Sequence, residues 1–407
     1  MSKQETKKRR LTGSYRKRGE NSWELSVSSG KGMHGKRHRA TKTVKCKEKD
    51  VEKHLALFVA EVEKGQYIEP SKMTLEDFSK RWIRDYADKK LSPMTRAGYL
   101  ARLDKRILPA LGHLKLEQIK PLHLSDFFSN LEEDGMRLDG KKGGMGVDSI
   151  IQCHRVLSSI LKMAVSLQMI PENPCLRVKA PSPPKRNLSV WDENQTMAAL
   201  VALQSRPLVI RTMITMAALT GLRRGEMLGL EWKHIDLVKR TARIVQVSQN
   251  VTGTGVITKE PKTAASTRLL ALPEMVCSLL KTHKTAQNAK RLQLGSKWME
   301  SDRLFTTWNG RPMHPNTVNK WMREFIAEYN QDKEEGDRLP VIRFHDLRHS
   351  AATIMITQGI DVGTVAKNLG HSRPSVTTDI YYSALMTAQA RAADKMDELF
   401  SGAVSAK

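Results

Sequence analysis

Thr220-Gly221-Leu222-Arg223-Arg224-Gly225-Glu226 sits directly after an apolar stretch, Leu208–Thr220, whose spacing predicts a helix. The apolar pattern resumes through Leu228, Leu230 and Trp232 to Asp236. An arginine at such a junction has two readings. It can pair with a carboxylate such as Glu226 and hold two helices together, or it can stand as a permanent cation for an anionic ligand.

Two further segments bear on that choice. In Phe344-His345-Asp346-Leu347-Arg348-His349 the spacing predicts that His345 and Arg348 share one helix face, a proton-transfer group beside a fixed cation. Taken singly, the same residues fit a capped, solvated helix start. Leu369-Gly370-His371-Ser372 follows another helical pattern, and Tyr381, with Tyr382 beside it, comes ten residues after His371. A lone tyrosine near a C-terminal helix usually packs its ring in a core or interface.

Working outward, a domain beginning near Ser189 has helical patterns at 192–203 and Leu208–Thr220, alternating segments at 242–247 and 268–272, and helices beyond. Before it, the prolines between Pro171 and Pro184 predict a stiff, extended connector. Residues 73–180 read as all-helical. Thr74 with Asp77 predicts a helix cap, Leu75, Phe78, Trp82, Ile83 and Tyr86 an apolar stripe, Ser92-Pro93 another helix start, and 122–131 and 147–167 further helices. The linker 65–72 separates this region from residues 1–65. There the basic run Lys7 to Arg10 precedes an alternation at Trp23, Leu25 and Val27, a glycine-bounded turn at 30–35, and a second alternation around Val44. From Asp50 the period becomes helical, with Val51, Leu55, Phe58, Val59 and Val62 on one face. The expected fold is therefore multidomain, mainly α with small β-sheets.

The chain has 407 residues, too many for one ordinary core, and 68 Lys and Arg against 43 Asp and Glu give a formal charge of +25. Such a field attracts polyanions, nucleic acid first. No apolar run has spanning length and no basic segment leads into a signal-peptide core, so a cytoplasmic location is expected. Cys46, Cys153, Cys175 and Cys277 lack the spacing of a zinc site or a disulfide framework. No acidic cluster suggests a catalytic cation, so phosphate chemistry here would lean on Lys and Arg.

In order, Arg-x-x-Glu after Thr-Gly-Leu, a hairpin lysine, His-x-x-Arg, Leu-Gly-His and Tyr resemble the catalytic signature of the tyrosine recombinase family, over residues 217–381. Residues 73–178, with Ser92, Pro93, Thr95, Tyr99 and Leu108-Pro109-Ala110-Leu111-Gly112, resemble the core-type DNA-binding domain of these recombinases. Gly13, Ser14, Tyr15, Lys17, Arg18 and Trp23 resemble the arm-binding module of the larger integrases. The resemblance implies three domains: an arm-binding module at 1–65, a core-binding domain at 73–180 and an α+β catalytic domain at 188–400.

It also implies roles. Arg223 and Arg348 correspond to the two catalytic arginines, Lys262 to the hairpin lysine with Lys259 as a nearby alternative, His345 to the first histidine, and His371 to a position held by His or Trp. Tyr381, with Tyr382 adjoining, corresponds to the nucleophile. The chemistry suits these types. Guanidinium forks stay charged and grip two phosphate oxygens, a phenol of pKa near 10 needs a base or nearby cations, and a lysine can protonate the leaving 5′ oxygen. The implied partners are double-stranded DNA at core and arm sites, a homotetramer with 388–400 docking on a neighbour, an excisionase and a host DNA-bending protein; no cofactor is implied. Rival readings are a type IB topoisomerase, a DNA-binding protein that kept the fold without activity, and an RNA-binding protein that has no use for Tyr381.

Overall fold

The computed structural model describes residues 12–31, 37–64, 67, 72–183, 189–261, 266–370 and 393–396. The chain divides into two compact units, 1–184 and 185–407.

In the first unit, β1 (Gly13–Gly19), β2 (Ser22–Lys31) and β3 (Arg37–Lys45) form an antiparallel sheet in that order, followed by α1 (Val51–Glu63). The period-2 alternation puts Trp23, Leu25 and Val27 on one face, where they are buried with Val51 and Phe58 of α1. β3 starts earlier than its alternation indicates. Residues before Lys42 offer Ala40 as their apolar anchor, and pairing with β2, where Ala40 opposes Val27, makes them a strand. The basic run Lys7 to Arg10, part of the 30–35 turn and most of the 65–72 linker lie outside the described residues.

The helical part of this unit runs through α2 (Leu75–Trp82), α3 (Asp88–Lys90), α4 (Pro93–Arg102), α5 (Leu108–Leu111), α6 (Pro121–Glu132) and α7 (Val147–Ser166). Thr74 caps α2, its hydroxyl accepting the Asp77 N–H at 3.2 Å. Phe78, Trp82, Leu103, Ile107, Leu124 and Leu157 are among the residues of the core. Ile83–Ala87 and Leu103–Ile107 wind as π-turns, which apolar spacing alone does not distinguish from α-helix. The proline-rich connector departs from expectation in its first half. Pro174 and Cys175 are buried in a 3-10 turn, Pro174–Arg177. The Asn173 side chain accepts the Cys175 N–H at 3.0 Å and donates to the Ser158 carbonyl at 3.1 Å, so side chains hold the turn against α7. Burial pushes the Cys175 thiol up to about 12.

The second unit comprises α8 (Glu193–Ala202), α9 (Leu208–Thr220), α10 (Arg224–Gly229), β4 (Ile235–Asp236), β5 (Thr241–Ile244), β6 (Val247–Val251), β7 (Gly255–Lys259), β8 (Arg268–Ala271), α11 (Glu274–Leu294), α12 (Pro315–Asn330), α13 (Leu347–Thr357) and α14 (Val362–Leu369). β4, β5 and β8 form one antiparallel sheet, and β6 and β7 a separate hairpin. From Thr212 to Ala218 every residue of α9 is buried, as expected of a helix apolar on all sides. Two contacts fasten the site region. The Trp191 N–H donates to the Ser350 hydroxyl at 2.9 Å, and a Cβ on Gly229 would fall 2.7 Å from the Gln246 carbonyl oxygen, so α10 lies directly on the chain entering β6. The protein is mainly helical with small antiparallel sheets. Among the described residues no helix is long and apolar enough to cross a membrane.

Candidate active site

The opening heptapeptide is a helix stop, a turn and a helix start. Gly221 ends α9 at φ 63°, its N–H donating to the Ala217 carbonyl at 3.0 Å. Leu222 is buried, and Arg223 becomes the residue before α10. Glu226, three residues on, turns back so that its carboxylate accepts the Arg223 N–H at 3.2 Å and Arg223 Nη1 at 2.6 Å. The pairing weighed from the sequence is therefore present. It does not consume the guanidinium, because Arg223 Nη2 also donates to the Gly370 carbonyl at 3.1 Å.

Arg348, in the first turn of α13, donates from Nη1 to the Gly221 carbonyl at 2.8 Å and from Nη2 to the Leu369 carbonyl at 2.6 Å. Arg268, on β8, donates from Nε to the Asn368 carbonyl at 2.8 Å and from Nη2 and Nη1 to the two Glu226 oxygens at 2.9 and 3.3 Å. Three guanidinium groups thus hold three consecutive carbonyls at the C-terminus of α14. That is the negative end of the helix dipole, where carbonyls lack partners within the helix. Glu226 is 1 % exposed, Arg348 3 % and the Arg268 side chain 8 %, while the Arg223 side chain is 35 % exposed and so accessible to a ligand.

Gly221 is where this arrangement is most sensitive to sterics. A Cβ there would lie 2.6 Å from Leu369 Cδ2 and 3.5 Å from the Ala351 Cβ, on a left-handed backbone that costs an L-residue about 1 kcal/mol. Gly221→Ala is expected to lose about 2–3 kcal/mol in urea unfolding, the overpacking adding to the backbone cost. Asn, which tolerates the left-handed backbone but carries the same Cβ, should recover only part of it. A full recovery with Asn would mean that the backbone and not the Leu369 contact sets the cost.

His345 lies in a 3-10 turn, Phe344–Asp346, just before α13, rather than on one helical face with Arg348. It is exposed where Arg348 is buried. The turn is pinned by Asp346, which accepts from Arg343 Nε at 2.9 Å and Nη2 at 2.8 Å. The imidazole is pushed down to about 4, first by loss of water around the ring, then by the positive neighbours His349 and Arg348, with Asp346 pulling the other way and Arg223 adding a further depression. The neutral ring is thus favoured by folding. Any stability it contributes is complete above its ordinary 6.5 and lost as the pH falls towards 4. Because the ring is only partly withdrawn from water and the residue keeps exposed surface, that contribution should stay below about 1 kcal/mol. An NMR titration should place the His345 midpoint well below 6.5; a midpoint at or above 6.5 would contradict the desolvation of the ring and the cationic surroundings described.

Of the residues singled out in the sequence, Arg223, His345 and Arg348 belong to this one neighbourhood, and Lys259 ends β7. Lys262, His371, Tyr381 and Tyr382 lie outside the described residues. Sequence reasoning missed Arg268 and the row of carbonyls. In a chain with 68 basic residues, an arginine in a short strand carries no local mark of burial.

Comparison with known proteins gives the family and the fold. Residues 188–387 match the phage integrase family and residues 74–131 the N-terminal SAM-like domain of phage integrases. A tyrosine recombinase XerC-like protein of Caldanaerobacter subterraneus subsp. tengcongensis is 24% identical over 404 residues, 95% of this chain and 98% of that protein. The ICEBs1 integrase of Bacillus subtilis is 28% identical over 284 residues, 70% of this chain and 72% of that one. Among solved structures, the Tn1549 transposon integrase in complex with transposon right end DNA superposes with TM-score 0.63 at 19% identity, covering 79% of this chain and all of that one (100%). A lambda integrase dimer bound to a COC′ core site gives 0.51 at 19%, covering 76% and 95%. The protein is a site-specific recombinase of the tyrosine type. It belongs to the phage integrase family of tyrosine recombinases.

Proposed function

We propose that this integrase cuts and rejoins double-stranded DNA through a 3′-phosphotyrosine at Tyr381. The observation that carries the reading is the convergence of Arg223 and Arg348 on the carbonyls of Gly370 and Leu369, one and two residues before His371. Two rigid cation forks at the root of the segment bearing Tyr381 are what a phosphoryl transfer needs to stabilise charge on the non-bridging oxygens. In the forward step the Tyr381 oxygen bonds to phosphorus and the bond to the 5′ oxygen breaks, Lys262 giving that oxygen its proton. His345, uncharged at neutral pH, assists removal of the phenolic proton, and His371 donates a hydrogen bond to the phosphate. Attack by a second 5′-hydroxyl reverses the step on a new partner, and the phosphotyrosine conserves the bond energy so that no ATP is consumed.

Residues 1–65 serve as the arm-type module, 73–180 as the core-type DNA-binding domain and 188–400 as the catalytic domain. The net charge of +25 and the DNA-bound state of the similar integrases support a DNA partner. Two sites of two strands each call for four protomers, with an excisionase and a DNA-bending protein setting direction.

The test is incubation of the full chain with nicked DNA carrying its element's end sequence, followed by a denaturing gel. A protein–DNA adduct that survives in Tyr382→Phe and disappears in Tyr381→Phe supports the proposal. Binding without an adduct in the wild type would favour a DNA-binding protein without strand-transfer activity.

A further inference from the structure

We infer that Arg268 is a positioning residue for strand cleavage, setting the aim of Arg223 and the place of the α14 C-terminus with one side chain. The inference rests on the catalytic reading of Arg223 proposed above. Arg268 comes from β8, and besides a local bond from Nη1 to the Ser266 carbonyl at 3.2 Å its contacts lead into the site. Through Nη1 and Nη2 it holds the two oxygens of Glu226, the carboxylate that fixes the Arg223 guanidinium and backbone; through Nε it holds the Asn368 carbonyl, two residues before the carbonyl that Arg223 itself contacts. The guanidinium is rigid and planar, so the distance from Glu226 to the end of α14 is set by its geometry.

Its charge is nearly buried and matched by a carboxylate that is 1 % exposed. All three guanidinium nitrogens of Arg268 donate to protein acceptors, Nε to the Asn368 carbonyl, Nη2 to Glu226 and Nη1 to both Glu226 and the Ser266 carbonyl, which makes a direct phosphate contact the poorer reading. Glu226 lies below its ordinary range: burial alone would raise it, and the hydrogen bonds and charges of Arg268 and Arg223 outweigh that effect. The carboxylate is thus held ionised between the two arginines. Losing Arg268 leaves Glu226 free to turn towards Arg223 alone, and releases Asn368, so that Arg223 and the segment after Gly370 lose their common reference. Misplacement on the scale of an ångström costs about 100-fold in a positioned reaction.

The experiment compares full-length wild type, Arg268→Gln, Arg268→Lys, Arg223→Ala and Tyr381→Phe on the same nicked DNA. It measures the single-turnover rate of adduct formation, DNA affinity, and folding by urea denaturation. The expected result is a folded Arg268→Gln protein that binds DNA within about 2-fold of wild type and cleaves about 30-fold or more slowly. Arg268→Lys keeps the charge beside Glu226 but cannot also reach Asn368, and should lose about 5-fold or more. A merely structural role would lower activity only in step with the folded fraction or with DNA affinity, and that outcome overturns the inference. Should Arg268→Gln fail to fold, Arg268→Lys decides: a folded Lys variant cleaving at the wild-type rate overturns it. If Arg223→Ala and Tyr381→Phe still form adduct, the catalytic reading itself fails; if they do not while the Arg268 variants cleave normally, only this inference fails.

Discussion

Arg348→Ala is expected to cost the second unit about 3–5 kcal/mol of unfolding free energy and to slow strand cleavage by about 100-fold to 1000-fold. The stability loss follows from the geometry. At 3 % exposure the guanidinium joins the end of α9, through Gly221, to the end of α14, through Leu369. Removing it deletes two charge-assisted hydrogen bonds, leaves two helix-terminal carbonyls without those donors, and opens a void beside Gly221. The catalytic loss follows from the proposed role, because a donor aimed at developing phosphate charge has no substitute in alanine. Arg348→Lys separates the two effects. An ammonium keeps the charge but cannot span both carbonyls in one plane, so it should recover roughly half of the stability and little of the rate. Urea unfolding of the full chain, followed by circular dichroism at the transition of the second unit, and the rate of adduct formation check both. An alanine variant within 1 kcal/mol of wild type would mean that the carbonyl clasp does not hold α9 to α14.

Glu226→Ala should be comparably damaging to stability, at about 3–5 kcal/mol, because it leaves the nearly buried Arg268 without its carboxylate and Arg223 without its anchor. Glu226→Gln retains the shape but offers an amide N–H to groups that only donate, so part of the loss remains. The pH dependence gives an independent check. The folded carboxyl lies below its ordinary 4.5, so the stability it contributes is fully present above that value and is lost as the pH falls through the lower folded value. Denaturation at pH 7 and at decreasing pH should show the wild type losing its advantage over Glu226→Gln on the acid side. An advantage that does not change with pH would show that the carboxylate charge is not what stabilises the site.

Local patterning decided much of this protein. The alternation at Trp23, Leu25 and Val27, the cap at Thr74 and the apolar run ending at Thr220 specify strand, helix start and buried helix from neighbours within a turn or two, because periodicity and capping are properties of adjacent residues. The order along the chain of the five elements from Arg223 to Tyr381, the hairpin lysine and Leu-Gly-His among them, was likewise sufficient to name the family. What adjacent residues could not decide was which charges would be buried and against what. Pro174 and Cys175 read as linker, and they are core because Asn173 and Ser158 meet across the fold. His345 and Arg348 read as one helical face, and a 3-10 turn pinned by Asp346 separates an exposed ring from a buried guanidinium. Arg268 resembled any of 68 basic residues until β8 brought it to Glu226 and Asn368. A charge can be buried only where partners distant in the sequence compensate its desolvation, and that compensation exists only once the tertiary structure has formed.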